Sequence, residues 1–124
     1  MSILIPSPKK DAFAASNLRK KNFGESDTLF VGTSVTGFVA TFRSFLKFEL
    51  KAIPKKNLIS SAALRLFVRR NDYPSELKAI DIHRLTERFK EDKVTWKKQP
   101  GYDPAIESSF ELTNETGSVA EWDI

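Results

Sequence analysis

The sequence predicts an all-β protein, a jelly-roll-like antiparallel β-sandwich, and three observations carry that expectation. Apolar residues recur with period two over most of the chain, which is the spacing that puts them on one face of a strand. Clusters of Pro, Gly, Asn, Asp and Ser cut the chain into eight or so short runs at near-regular spacing. Helical spacing is almost absent: residues 86–92, TERFKED, are the only stretch that reads as a helical turn.

The strongest signal lies in residues 42–69, FRSFLKFELKAIPKKNLISSAALRLFVR. Phe42, Leu46, Phe48 and Leu50 share one parity, and Leu64, Leu66 and Val68 share another, on either side of a Pro/Lys/Asn/Ser turn region. The opposite parity carries Arg43, Phe45, Lys47 and Glu49, then Arg65, Phe67 and Arg69. This predicts a hairpin-like pair of long strands with one buried face and one decorated face.

The other elements follow in order. Ile3, Leu4 and Ile5 form a short strand ended by Pro6 and Pro8. Residues 11–15 are extended, residues 16–26 are a polar loop turned at Gly24, and residues 28–31 form a strand closed by Gly32. After a turn at residues 33–37 and the central pair, RNDYPS at 70–75 is a turn. Residues 77–85 alternate again, with Ile80 and Ile82 on one side. Residues 94–96 are a short apolar piece, and QPGYDP at 99–104 is a turn-rich loop. Strands at 106–112 and 119–124 complete the chain.

With 124 residues, 40% of them hydrophobic and ten of them Phe, the chain is expected to form a single domain over 1–124 with a real core. Cysteine is absent, which excludes disulfides and thiol chemistry and leaves the compartment open. The formal charge of +4 is spread over doublets such as Lys9-Lys10, Lys20-Lys21, Lys55-Lys56 and Lys97-Lys98. Those doublets fall mostly in turns and strand ends, where they guard sheet edges, so no nucleic-acid partner is expected. No window approaches the roughly 18 apolar residues of a membrane span, so no membrane insertion is expected. MSILIPSP lacks the charged start and apolar run of a signal peptide. The expectation is a soluble chain that is exported by another route, released by lysis, or without its leader.

Five stretches carry a resemblance: NFGESDTLFVG (22–32), RSFLKFELKAIP (43–54), SSAALRLFV (60–68), HRLTERFKEDKVTWKKQPGYD (83–103) and EWDI (121–124). Together, in this order, they resemble the DNRLRE, or disaggregatase-related, family. The resemblance implies a jelly-roll-like sandwich acting as a non-catalytic module on surface, polysaccharide-active, spore- or phage-associated proteins. Carbohydrate-binding-module relatives imply a glycan ligand. The chain departs from the pattern at Phe89-Lys90-Glu91, where an aromatic-Asp-Glu run is usual. The family also continues with strands beyond the point where this chain stops, at Ile124. A sandwich lacking its C-terminal strands is therefore expected, either clipped or completed by a strand from a neighbouring chain.

Catalytic chemistry has little material here. The single His, His83, lies among strand residues and reads as a hydrogen-bonded structural side chain. Glu87, Glu91 and Asp92 sit in a charged turn, where solvation explains them better than paired-carboxylate hydrolysis does. No enzyme is expected. Asn22, Glu25 and Asp27 offer hard oxygens that suit a structural calcium, although no EF-hand spacing is present.

Glycan recognition needs aromatic faces for sugar C–H surfaces and planar polar groups for hydroxyls. The decorated face supplies Arg43, Phe45, Lys47, Arg65, Phe67 and Arg69, which suits an anionic polysaccharide. Tyr73 beside Arg70 and Tyr102 beside Asp103 offer loop-borne alternatives. Trp96 and Trp122 read as core residues. The expected function is a non-catalytic, extracellular or cell-, spore- or phage-surface module that binds carbohydrate. The alternative is a structural subunit of such an assembly, joined to copies of itself or to larger partners through the strand edge at residues 121–124.

Overall fold

A computed structural model describes residues 3–34, 39–56, 59–71, 78–112 and 117–124. These residues contain seven strands and no helix, and every ladder is antiparallel, consistent with a β-sandwich. The chain divides into two compact units. One comprises residues 1–57 and 87–101; the other comprises residues 58–86 and 102–124.

The first unit holds β1 (Lys10–Ala15), β2 (Gly32–Ser34) and β3 (Ala40–Lys47) in the order β1-β3-β2. Both faces of this sheet are covered by non-strand segments. On one face Phe13 stacks on Phe23 at 4.3 Å between ring centres and meets Phe30 and Phe42, while Ser44 Oγ donates to the Phe30 carbonyl. On the other face Phe45, opposite Ala12 in the ladder, packs on Phe89. Ala12, Phe13, Ala14 and Ala15 are all buried as a result. The small alanines let the covering segments approach the backbone closely.

In the second unit β4 (Ala63–Val68) pairs with β7 (Ser118–Asp123), and β5 (Lys78–Ile82) pairs with β6 (Ser108–Leu112). Leu64, Leu66 and Val68 are half-buried on β4, as their parity predicts, and Ala120 and Trp122 are buried opposite them on β7. Trp122 ties the two ladders together. Its ring lies 5.5 Å from that of Phe110, and its indole N–H donates to the Ile80 carbonyl at 2.9 Å, which gives its polar end a partner in the core.

Several expectations need correction. The long runs at 42–50 and 64–68 do not form a hairpin: β3 pairs with β1 and β2, and β4 pairs with β7. Residues 3–5 are not in a strand, the strand expected at 28–31 lies instead at Gly32–Ser34, and residues 86–92 are irregular, with a bend at 86–87 and a turn beginning at 91. At the chain's end the backbone is paired on the β4 side, where β7 runs the full length of β4 and the Ile124 N–H donates to the Ala62 carbonyl at 3.0 Å, while the other edge of β7 joins no ladder among the described residues. The turn expected at 70–75 lies mostly, and that at 33–37 partly, outside the described residues.

Candidate functional site

The outward face of β4–β7 is set by its register. Arg65 stands opposite Glu121 and Phe67 opposite Val119, both pairs on the side away from Trp122. Phe67 is 65% exposed and Val119 46%, so an apolar patch faces water in the middle of the sheet. Arg65 Nε lies 3.2 Å from Glu121 Oε2, with both side chains largely exposed. Arg69, also exposed, continues the same parity one residue past the strand. A ring flanked by two guanidinium groups is what the sequence predicted for this half of the decorated face. Such groups can donate two parallel hydrogen bonds to a carboxylate while the ring covers sugar C–H surface.

A second group in this unit centres on Tyr102, 42% exposed, which forms an isolated bridge with Leu85. The His83 ring meets it edge-on at 5.3 Å, and His83 Nδ1 lies 3.0 Å from the Asp103 carbonyl oxygen. Arg84 Nη2 is 3.7 Å from Asp103 Oδ2. His83 is thus a half-buried residue fixed to backbone. The edge contact with Tyr102 is a pairing that the sequence reading missed, although the two lie near the ends of a single quoted motif.

In the first unit the predicted residues meet different fates. Arg43 and Lys47 are exposed, but Phe45 is only 6% exposed. It is no open platform, because residues 89–94 cover the face on which it lies. The sequence reading treated that face as solvated. Trp96 is half-buried and does not join the core. The Arg43 guanidinium lies 5.2 Å from its ring centre and donates to Gln99 Oε1 at 3.0 Å, while Gln99 Nε2 donates to the Trp96 carbonyl at 2.8 Å. The lysines that follow Trp96 were the available sign that this stretch is surface. Tyr73 lies outside the described residues. The six residues predicted for the decorated face therefore do not share one sheet face, and Arg65, Phe67 and Arg69 are the ones brought together with an aromatic ring in the open.

The calcium residues are occupied locally. Asn22 Nδ2 donates to the carbonyls of Glu91 and Val94, both at 2.8 Å, and its Oδ1 accepts from Gly24 N–H at 3.0 Å. Asp27 accepts from the Thr28 hydroxyl, and Glu25 is exposed. This loop and residues 91–92 line a cleft of about 560 Å³, but no three acidic or His side chains converge among the described residues. Nearby, Glu91 Oε1 accepts the Asp11 N–H at 2.9 Å. Burial, then the hydrogen bond and negative charge of Glu91, push the Asp11 carboxyl above its ordinary range.

Comparison with known proteins places the chain. It matches carbohydrate-binding module family 96 over residues 5–124 and belongs to that family. No curated protein and no solved structure matches it significantly. The carbohydrate-binding class read from the motifs is thereby shown; the DNRLRE name given to them is not part of the match. Modules of this kind are generally non-catalytic and usually extracellular or surface-associated. No helix among the described residues is long and apolar enough to cross a membrane.

Proposed function

We propose that the chain is a non-catalytic module that binds an anionic polysaccharide on the outer face of β4–β7. The observation that carries this is Phe67, open to solvent on a rigid strand between Arg65 and Arg69. The ring supplies apolar contact for a sugar face, and the two cations supply charge-assisted hydrogen bonds to uronate-type carboxylates. Membership of the carbohydrate-binding family supports the ligand class, and the two arginines favour an acidic polymer over a neutral one. The Tyr102–His83 group, with Arg84 and Asp103 beside it, is a further contact of the same kind in the same unit.

Affinity electrophoresis in gels containing polygalacturonate or neutral dextran tests this reading. Migration is expected to be retarded by polygalacturonate alone, and the retardation to fall at least about fivefold in Phe67→Ala, the scale of losing one stacking contact. Equal migration of variant and parent would remove Phe67 from the site. Failure of any acidic polymer to retard the folded parent would end the proposal.

A further inference from the structure

A second cleft, of about 240 Å³, lies in the first unit on residues 87–100, and neither the family match nor the β4–β7 face accounts for it. Arg88, Lys90, Lys93 and Lys98 line it, with the buried Phe89 beside them. A single carboxylate, Glu87, also lines the cleft, and it accepts the Gly101 N–H at 2.5 Å. None of the four cationic side chains has an ion pair or hydrogen bond among the described residues. Lys10 Nζ, which lies near Phe89, is tied to the Phe89 carbonyl at 3.0 Å.

Backbone hydrogen bonds fix the turns that carry three of these cations, Lys90, Lys93 and Lys98, before any ligand arrives. The N–H groups of Lys93 and Val94 both donate to the Lys90 carbonyl at 3.0 Å, closing the turn that carries Lys90 and Lys93. Thr95 Oγ1 accepts the Lys98 N–H at 3.0 Å, and the Thr95 N–H donates to the Lys98 carbonyl at 3.3 Å, which fixes the next turn. Only side-chain rotamers remain to be ordered on binding. Four like charges around one small opening repel one another, and a bound anion turns that repulsion into attraction. The opening is smaller than an ordinary drug-sized pocket, so it suits a compact charged group and not a macromolecular segment.

We infer that this cleft is an oxyanion site for a sulfate or phosphate ester carried on a glycan. Four cationic side chains lining one cleft suit a tetrahedral group, whose oxygens can each accept from a different cation, better than a two-oxygen carboxylate. The glycan carrier rests on the function proposed above, whereas the anion site stands on the cleft itself.

Isothermal titration of the whole chain with dextran sulfate, phosphorylated dextran, polygalacturonate and inorganic phosphate tests the inference. The parent is expected to bind dextran sulfate, phosphorylated dextran or both, the preferred polymer naming the ester. The triple variant K90Q/K93Q/K98Q is expected to bind that polymer at least roughly tenfold more weakly, and K55Q/K56Q, which removes exposed charge elsewhere, less than about twofold. Phe67→Ala is expected to keep this binding, which separates the cleft from the β4–β7 face. Inorganic phosphate bound by the parent and lost in the triple variant would locate recognition in the oxyanion itself. The inference is overturned by unchanged ester binding in the triple variant, an equal loss in K55Q/K56Q, polygalacturonate affinity falling as far as ester affinity, or no binding of either ester.

Discussion

Arg65 and Glu121 face each other across the β4–β7 ladder, with Nε and Oε2 3.2 Å apart, one pleat from the exposed ring of Phe67. An exposed pair of this kind contributes only about 0.2–1 kcal/mol to stability. Its larger consequence is competition, because Glu121 holds the guanidinium that an acidic sugar would need. Glu121→Gln is therefore expected to tighten polygalacturonate binding about two- to threefold, and Arg65→Gln to weaken it by more than that. Both effects should shrink as salt rises from 50 to 500 mM, since surface charges are screened. Weaker binding in Glu121→Gln would place the carboxylate on the ligand side of the interaction.

Trp122 is the side chain on which the second unit depends. It is 4% exposed, packs on Phe110 and gives the Ile80 carbonyl its indole hydrogen. Trp122→Phe keeps part of the volume and loses the hydrogen bond, for an expected cost of about 1–3 kcal/mol. Trp122→Ala adds a cavity and should cost about 3–5 kcal/mol. Urea melts followed by circular dichroism check both. Equal stability of the parent and Trp122→Phe would mean that the indole bond contributes nothing net.

The strands that were legible in the sequence are those whose alternation is visible on both faces. β4 and β5 follow their parity closely, because one face of each is apolar and the other carries Arg65 or Asp81. Partners were not legible: period two says which way Leu64 points, but not that Trp122 lies across from it. The fate of Phe45 was hidden for a related reason. Its parity with Arg43 and Lys47 implies an exposed face, and only the placement of residues 89–94 over that face buries it. Of the candidate site, Arg65, Phe67 and Arg69 could be read from one strand alone, whereas the cleft at 87–100 depends on how two turns fold together.

Asn22 ties residues 22–24 to residues 91–94 through two hydrogen bonds from its Nδ2, while its Oδ1 accepts the Gly24 N–H within the loop. Gly24 sits so close to the Glu91 carbonyl that an added Cβ would collide with backbone. Asn22→Ala is expected to cost about 2–4 kcal/mol, because two carbonyls lose their donor, and Gly24→Ala about 1–3 kcal/mol from overpacking. These protein–protein bonds organise the loop. Excess EDTA or 5 mM calcium should accordingly shift the melting temperature of the parent by less than about 1 °C, where 1 kcal/mol corresponds to several degrees in a domain of this size. A calcium-dependent rise of several degrees would instead show the ion expected at Asn22, Glu25 and Asp27.

Asp11 makes the stability of the first unit depend on pH in a direction opposite to that of a paired carboxylate. Burial and the neighbouring Glu91 raise its carboxyl above the ordinary 3.8, so the folded state holds the proton more tightly than the unfolded chain does. The stabilisation this gives is fully present below about 3.8 and is lost as pH rises through the raised value. At neutral pH the two carboxylates then repel each other. Asp11→Asn removes the charge and leaves an amide able to donate to Glu91. The variant should match the parent near pH 3 and exceed it progressively at higher pH, levelling off by pH 7. The gain should be no more than a few tenths of a kcal/mol, because water still reaches the carboxyl. Urea melts of both proteins from pH 3 to pH 7 measure the difference. A gap that stayed constant over this range, or opened in the other direction, would mean that Asp11 and Glu91 do not oppose each other in the folded protein.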